Sequence, residues 1–436
     1  MAKISRTFRW LSLLSLFAAL LFAAYVWQRP LLNIGAGYAA KHACSCHFLQ
    51  GRELEEIREH DLNFSVLGYV SLELDGNAVR SSFFGLVPRE ARFRAGVGCT
   101  LINDPGKPLV PVGADAGAKE VEGAMVDPPP ALAAAFEFGM GPQTDGETRG
   151  LVVLRNGEVI AEAYAEGYDQ NTPLLGWSMT KTLTGLAVGA VLRPDSTTTP
   201  ASAAARSGLF PRVWTDSARQ QITVADLLHM NSGLLWNEAY GALSDATIML
   251  HEHGDMAKYA YSAPAIHPRN TEWVYSSGTT NILTRFIDEE APLASAHEFI
   301  HGLLRPVAPS LLIEPSQAGL PVGSSYGWAT ARDWARLGQL MLQEGVWNGD
   351  TLLPPGWVRY LREPAAGSDG VYGGQTWLPG PDTPSLPADA YMMRGFQDQR
   401  VFIIPSRNLV IARLGHGKDK SADFDGLVRR VLGEGE

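Results

Sequence analysis

The stretch Trp177-Ser178-Met179-Thr180-Lys181-Thr182-Leu183-Thr184 carries the most information in this chain. Residues Thr180 to Leu192 are apolar at helical spacing, which predicts a buried helix. If that helix begins at Ser178, the side chain of Lys181, three residues on, lies on the same face as the serine. A lysine at the head of a buried helix costs free energy unless it is paired or used. The sequence therefore predicts a serine–lysine pair at a helix N-terminus.

This pair has the chemistry of an activated nucleophile. A serine hydroxyl becomes reactive when a neighbouring base takes its proton, and a lysine whose pKa is lowered by burial can be that base. The free N–H groups of a helix N-terminus can stabilise an oxyanion. By itself the Ser-x-x-Lys spacing of Ser178 and Lys181 also fits a helix cap followed by an exposed lysine.

Composition narrows the function classes. The chain has 436 residues, of which 45% are hydrophobic and 19% charged, as in a large folded domain with an accessory region. Its net charge of −10 argues against a nucleic-acid partner, because no excess of basic residues is present to neutralise phosphates. The sequence has no phosphate-binding glycine loop and no dinucleotide fingerprint, and His251-Glu252-His253 lacks metalloprotease spacing and is expected on a helix surface. We expect no cofactor and no metal.

The N-terminus predicts a membrane anchor. Residues 1–9 carry Lys3, Arg6 and Arg9, and an uncharged run follows from Trp10 to Trp27, near the lower length limit for crossing a bilayer. Basic residues that precede the apolar run keep the N-terminus in the cytoplasm. The rest of the chain would then lie on the periplasmic side of a bacterial inner membrane. The alternative is a cleaved signal peptide, although no small-residue cleavage site is evident before Pro30.

An accessory region is expected over residues 35–125. Phe64 to Leu74 and Ser81 to Leu86 alternate as β-strands do, with a turn at Asp75-Gly76-Asn77. In an exported protein we expect a disulfide between Cys99 and either Cys44 or Cys46; the alternative for residues 44–47 is a metal or redox site.

A hydrolase-sized domain is expected over residues 130–436, after the prolines of residues 128–130. Predicted strands stand at both ends of this domain and predicted helices lie between them. This pattern indicates an α/β (α+β layered) fold, a sheet covered by helices. The predicted elements are a hairpin over 151–164, helices near 226–230, 329–344 and 423–432, and strands over 400–404 and 408–414.

Several segments resemble one family, the Ser-x-x-Lys serine hydrolases related to class C β-lactamases, DD-peptidases and nylon-oligomer (6-aminohexanoate-dimer) hydrolases. Ser178-Met-Thr-Lys181 is similar to its first motif. Tyr275-Ser276-Ser277-Gly278, after a strand-like Glu272-Trp273-Val274, is similar to its Tyr-x-Asn motif in a Tyr-Ser-Ser form. The resemblance covers most of residues 130–415, and residues 35–99 are similar to the leader region of the nylon-hydrolase branch. It implies a β-lactamase/transpeptidase-like fold, an antiparallel sheet flanked by helices with an all-helical subdomain.

The resemblance also implies roles. Ser178 would attack a carbonyl and form an acyl-enzyme, Lys181 would accept its proton, and Tyr275 would pass that proton to the leaving group. A phenol beside an ammonium can ionise below its usual pKa near 10. The backbone N–H groups of Ser178 and Phe396 are the expected oxyanion donors. The residues expected to contact substrate are Ser277, Gly395, Trp236 and Tyr240.

The third motif departs from the family pattern. Members carry Lys or His, any residue, then Gly on the strand that faces the nucleophile, and the best match here is Met393-Arg394-Gly395. Met393 therefore offers no charge to a substrate carboxylate. Two other motifs are expected to be coincidental: Gly323-Ser324-Ser325-Tyr326-Gly327 follows a loop and not a core strand, and Gly415-His416-Gly417-Lys418 is interpreted as a surface turn.

The sequence thus predicts hydrolysis of a small-molecule amide or ester by acyl transfer to water. Three alternatives stay open. One is a β-lactamase or DD-peptidase acting on β-lactams or cell-wall peptides, which Met393 disfavours. The second is a non-catalytic, penicillin-binding-like sensor domain, which has no need of Ser178, Lys181 and Tyr275 together. The third is an acyltransferase, which the sequence does not separate from a hydrolase.

Overall fold

A computed structural model of the chain describes residues 6–113, 123–141, 147–193, 198–292, 295–417 and 422–433. It begins with one long helix, α1 (Arg6–Gln50), which contains Pro30. Up to Trp27, which is 79% exposed, its apolar side chains face outward, and from Ile34 onward most are buried. The helix includes a stretch long and apolar enough to cross a membrane. The expected anchor, residues 10–27, thus lies on a helix that continues into the folded protein; residues 1–5 lie outside the described chain.

The second half of α1 packs against a small antiparallel sheet. Ala36, Ala39, Ala40 and Ala43 recur at helical spacing and are fully buried, so the sheet can approach the helix closely. The strands lie in the order β1-β2-β3-β4. Their bounds, with the short helix that precedes them, are α2 (Leu54–His60), β1 (Val70–Asp75), β2 (Ala78–Phe83), β3 (Leu86–Arg94) and β4 (Gly98–Leu101).

The expected hairpin is present with shifted ends. Residues 65–69 form a 3₁₀ turn, because Ser65 has a φ of +52°, and extended structure starts only at Val70. The second strand ends at Phe83 because Phe84 and Gly85 both adopt positive φ and make a turn. Of the two predicted disulfide pairings, the structure has Cys44–Cys99, with a Cα–Cα distance of 6.0 Å. This bond joins α1 to β4.

The larger domain is built on a five-stranded antiparallel sheet in the order β12-β13-β14-β5-β6. Alternate residues of its strands point to opposite faces. In the strand that carries residues 399–404, Val401 and Ile403 belong to one hydrophobic cluster, and Phe402 and Ile404 to another. The strand bounds are β5 (Glu147–Arg155), β6 (Glu158–Tyr164), β7 (Leu174–Leu175), β8 (Leu312–Ile313), β9 (Gly327–Ala329), β10 (Val346–Trp347), β11 (Asp350–Thr351), β12 (Tyr391–Gly395), β13 (Gln399–Ile404) and β14 (Leu409–His416).

Helices cover both faces of this sheet. The first and last helices of the domain, α3 and α14, pack on one face, and α12 packs on the other beside the helical part of the domain. The helix bounds are α3 (Pro130–Met140), α4 (Met179–Leu192), α5 (Pro200–Ala204), α6 (Ser217–Gln220), α7 (Val224–Leu228), α8 (Asp245–Glu252), α9 (Met256–Tyr261), α10 (Ser277–Glu290), α11 (Ala296–Leu304), α12 (Ala331–Leu342), α13 (Trp357–Leu361) and α14 (Phe424–Leu432). The expected layered fold is confirmed.

Three local expectations are wrong. Residues 272–274 belong to no strand, because Val274 donates its N–H to the carbonyl of Met230 in a loop. His251 is buried, not on a helix surface, because α8 packs against α1. Gly415 and His416 do not form a surface turn: they extend β14, paired with Thr148 and Glu147 of β5, and His416 is buried. Lys418 lies outside the described residues.

Candidate active site

Ser178 stands at the turn that leads into α4. Trp177 before it has a φ of +46°, which turns the chain sharply from β7 into the helix. Ser178 is the N-cap residue, but its side chain does not cap the helix. Its Oγ instead accepts a hydrogen bond of 2.9 Å from Nζ of Lys181. The helix N-terminus and the serine–lysine contact thus meet at one hydroxyl, as the spacing predicted.

Lys181 is held in a buried cluster of oxygen atoms. Its side chain is 1% exposed, and its Nζ also donates to Oγ of Ser277 at 2.9 Å and to the carbonyl of Ser324 at 3.1 Å. Burial lowers the pKa of Lys181 to about 8, against the opposing effect of the Glu238 carboxylate 3.9 Å away. A substantial fraction of the amine is therefore neutral in mildly alkaline solution, as a general base requires.

Tyr275 lies beside this pair. The Nζ of Lys181 is 4.8 Å from the centre of the Tyr275 ring. Burial and the charge of Glu238 raise the pKa of Tyr275, and the influence of the Ser178 side chain only partly offsets them. The expectation that a nearby ammonium lets this phenol ionise below its usual pKa is therefore wrong. The group that the site provides is a protonated phenol, able to relay a proton.

Glu238 is the residue that sequence reasoning missed. Its carboxylate accepts hydrogen bonds from the indole of Trp236 at 2.6 Å, from the phenol of Tyr240 at 2.7 Å and from the N–H of Ser277 at 2.8 Å, and the hydroxyl of Ser277 donates to it as well. Residues 236, 238 and 240 alternate in the sequence, but that alternation alone does not show that Glu238 meets Ser277. Two of the residues expected to contact substrate, Trp236 and Tyr240, thus orient this carboxylate.

The end of strand β12 lies close to the backbone that leads to Ser178. A β-carbon on Gly395 would lie 2.1 Å from the carbonyl oxygen of Gly176, so only glycine fits there. The indole of Trp177 donates to Oε1 of Gln397 at 3.0 Å and meets the ring of Phe396 edge-on, with centroids 5.6 Å apart. These contacts bring Gly395 and Phe396 close to Gly176 and Trp177, the two residues before Ser178.

Comparison with known proteins identifies the family. A family model described as Beta-lactamase matches residues 139–434, more than half of the chain. The chain belongs to the β-lactamase family. A 6-aminohexanoate-dimer hydrolase of Paenarthrobacter ureafaciens is 25% identical over 315 residues, which are 65% of this chain and 77% of that protein. Together these matches make the chain a serine hydrolase with the β-lactamase fold.

Solved structures share this fold at low identity. EstA from Arthrobacter nitroguajacolicus Rue61a matches with a TM-score of 0.54 and 16% identity, covering 72% of this chain and 99% of that chain. A penicillin-binding protein homologue from Caulobacter crescentus matches with a TM-score of 0.53 and 15% identity, covering 71% and 98%.

Relative to the β-lactamase family pattern, the third motif is altered as the sequence indicated. The side chain of Met393 is fully buried and belongs to the main hydrophobic cluster. Arg394 points the other way: its guanidinium lies 4.6 Å from the ring centre of Trp377, whose ring neighbours Tyr275, and pairs with Asp382 at 3.0 Å. Arg394, the cation of this motif, is thus already paired with the carboxylate of Asp382.

The Gly-x-Ser-x-Gly segment does not have the setting of a nucleophile elbow. It lies in the loop between β8 and β9 and ends on Gly327, the first residue of β9, so it does not join a strand to a helix. Ser324 and Ser325 are buried, and their hydroxyls hydrogen-bond to each other at 2.8 Å. The carbonyl of Ser324 is one of the acceptors of Lys181. This loop therefore helps to fix the position of the lysine.

Helix α1 packs against Trp177, which immediately precedes Ser178. The rings of Tyr38 and His42 both stack on Trp177, the residue before the nucleophile. His42 also contacts Asp61, whose two carboxylate oxygens accept from Arg52 and from Arg149 of β5. Burial opposes ionisation of Asp61, but Arg149 and its other partners hold its pKa well below the usual range. This ion-pair network ties α1 to the central sheet.

The alternative expectation of a metal or redox site at residues 44–47 concerns the same region. His42, the free thiol of Cys46 and Asp61 place possible ligand atoms within 4.8 Å of one another. Both oxygens of Asp61 already receive hydrogen bonds from arginines, whose positive charges oppose a cation. The arrangement fits a structural ion-pair network better than a metal centre.

Proposed function

We propose that the chain hydrolyses an ester or amide through an acyl-enzyme on Ser178. The observation that carries this proposal is the 2.9 Å hydrogen bond between Nζ of Lys181 and Oγ of Ser178 inside a buried cluster. A fully buried lysine whose pKa is lowered to about 8 beside a hydroxyl is the arrangement that general-base activation of a serine needs. Membership of a family of serine hydrolases supports the same chemistry.

In acylation, neutral Lys181 takes the hydroxyl proton of Ser178 as Oγ attacks the carbonyl carbon. The tetrahedral oxyanion receives hydrogen bonds from the N–H groups of Ser178 and Phe396. The C–O or C–N bond of the substrate then breaks. Tyr275 gives its proton to the leaving oxygen or nitrogen and takes one from the Lys181 ammonium, so no phenolate accumulates. This relay agrees with the raised pKa of Tyr275.

Deacylation reverses the proton path. A water molecule loses a proton to Lys181 through Tyr275 and attacks the acyl carbon, and Ser178 leaves with the proton that the lysine returns. Glu238 stabilises the ammonium form that occurs in each half-reaction, because its carboxylate lies 3.9 Å from Nζ. Ser277 connects the two groups, accepting from Lys181 and donating to Glu238.

We also propose that the first half of α1 anchors the protein in a bacterial inner membrane, with the catalytic domain on the periplasmic side. Residues 10–27 are apolar and exposed, and basic residues precede them. Exposed leucine and phenylalanine side chains at this density need a non-aqueous environment. The basic end favours the cytoplasm.

The test of the catalytic proposal is labelling followed by intact-mass analysis. The full chain in detergent is exposed to a fluorophosphonate and, separately, to p-nitrophenyl butyrate. A single adduct that maps to Ser178 and disappears in Ser178→Ala supports the proposal. An adduct on Ser324 or Ser325 contradicts it. Strong labelling by a fluorescent penicillin, with no ester turnover, would instead indicate a penicillin-binding or β-lactamase role.

A further inference from the structure

A cavity of about 310 Å³ lies between α1 and the proposed catalytic centre. Four parts of the chain line it: the stretch of α1 just after the apolar segment, the turn at residues 64–67, the segment from Tyr240 to His251 that runs into α8, and Phe396. Its volume is in the range of small-molecule binding sites.

The cavity wall carries no net charge. Among the described residues that line it there is no Asp, Glu, Lys or Arg, and the one side chain of this set that ordinarily titrates near neutral pH is His251. Burial, helped by the charge of Arg89, lowers the pKa of His251 to about 3, so the imidazole stays neutral. Leu31, Ile34 and Leu67 supply much of the remaining surface. Such a wall favours an apolar group over a charged one.

The cavity borders the proposed catalytic centre at Tyr240 and Phe396, which line it. Their rings stack with centroids 5.3 Å apart. The hydroxyl of Tyr240 lies 3.2 Å from Oγ of Ser277, which accepts from Lys181. Phe396 carries the N–H proposed as an oxyanion donor. A substrate whose carbonyl sits at Ser178 would pass its chain beside this ring pair to enter the cavity.

Its other end faces the membrane-proximal part of α1. Leu31 is four residues past Trp27, which is about 6 Å along a helix axis. The turn at residues 64–67 packs against α1 at Gly35. Apolar side chains remain exposed in this turn, at Val66, and close to it in the chain and the sheet, at Tyr69, Phe84 and Leu86. Apolar residues exposed here would lie at the level of the lipid headgroups.

We propose that this cavity binds the apolar chain of an amphiphilic ester or amide that enters from the membrane surface, while Ser178 attacks its carbonyl. The inference rests on the proposed function and adds the substrate class to it. It explains why a catalytic domain of this family is fused to its apolar helix without a linker: α1 is both the proposed anchor and one wall of the cavity.

The chain-length test compares p-nitrophenyl decanoate with p-nitrophenyl butyrate on the full chain in detergent. We expect kcat/KM to be at least tenfold higher for the decanoate, since each buried methylene contributes about 0.8 kcal/mol, roughly a fourfold effect. Val66→Trp in the turn that lines the cavity and Ala242→Trp in the lining segment that leads to α8 each lower this ratio at least about fivefold, the loss expected when one to two methylenes no longer fit. Val346→Trp, a valine of similar exposure in β10, leaves it unchanged.

A parallel series with alkyl chains on the alcohol side tests whether the cavity takes the leaving group. A chain-length preference in either series that the two cavity variants remove supports the proposal. No preference in both series overturns it, even if Ser178 is acylated. Absence of acylation by every ester overturns the proposed function itself, so the two failures are distinguishable.

Delivery from the membrane is tested in phosphatidylcholine vesicles. The protein and p-nitrophenyl decanoate are placed either in the same vesicles or in separate populations that are then mixed. Faster turnover in the shared vesicles supports entry from the bilayer surface. Equal initial rates mean that the ester reaches the cavity from solution, which overturns that part of the proposal.

Discussion

The indole of Trp177 stacks on the phenol ring of Tyr38, with centroids 5.9 Å apart and planes 5° from parallel. Tyr38 belongs to α1, and Trp177 immediately precedes the proposed nucleophile. The position of Ser178 thus depends on a helix more than a hundred residues earlier in the chain.

Tyr38→Ala is expected to lower kcat/KM for p-nitrophenyl butyrate about tenfold or more, because a displaced nucleophile reacts slowly. Loss of the ring also costs roughly 3 kcal/mol of stability. Tyr38→Phe keeps the stacked ring and is the control. Urea unfolding and steady-state kinetics on both variants check this. If the alanine variant loses stability but keeps wild-type kcat, the stack has no part in placing Ser178.

The pH dependence should follow Lys181. Its pKa is lowered to about 8 by burial, and the neutral amine is the active form, so kcat/KM should rise with pH to a plateau above about 8. Lys181→Ala should lower acylation by at least roughly 1,000-fold. Lys107→Ala, at an exposed lysine, should behave as wild type. A rate that falls as pH rises through 8 would rule out the lysine as base.

Glu238 should determine the midpoint of the pH dependence of kcat/KM. Its negative charge raises the pKa of Lys181, so Glu238→Gln should move the midpoint below 8. The same change should lower kcat/KM roughly tenfold, because Trp236, Tyr240 and Ser277 lose a charged acceptor. The pH–rate profile distinguishes the two effects. Glu73→Gln, on an exposed strand residue, is the matched control. An unmoved midpoint would mean that the carboxylate is only structural.

Local spacing made part of this site predictable. Ser178 and Lys181 lie one helical turn apart, so helix geometry puts them on one face, and the apolar residues that follow indicated that the lysine is buried. Tyr275 and Phe396 followed from resemblance and not from physics. Glu238 stayed hidden because its partners come from a loop and from the start of α10, and no periodic pattern links these segments.

The predictability of the fold has the same limits. Strongly patterned elements such as α4 and β13 were placed to within one or two residues. Ser65 and Phe84 adopt positive φ without being glycine, so the strand ends that they set were not visible in the alternation. The packing of α1 against Trp177, and hence the cavity, depends on long-range contacts that a sequence pattern does not specify.

Tyr275→Phe is expected to slow turnover by about 10²–10⁴-fold, the usual contribution of a positioned general acid–base. Tyr372→Phe is a close control. Its ring neighbours Tyr275 at 5.7 Å, and its buried hydroxyl has no hydrogen-bond partner among the described residues. Removing that hydroxyl should leave kcat unchanged. Pre-steady-state kinetics with p-nitrophenyl butyrate separate acylation from deacylation. Equal kinetics in both phenylalanine variants would remove Tyr275 from the proton path.

Met393→Lys should destabilise the protein and not retarget it toward carboxylate-bearing substrates. Met393 is fully buried in the main hydrophobic cluster, so an unpaired ammonium there should cost about 3–5 kcal/mol. Burial depresses the pKa of such a lysine, so the loss should be full at low pH and shrink as pH rises and the amine becomes neutral. Met393→Leu should lose less than about 1.5 kcal/mol. Urea unfolding at pH 6 and pH 9 measures both. A Met393→Lys protein that is as stable as the wild type and prefers carboxylate-bearing esters would show that residue 393 faces the substrate and not the core.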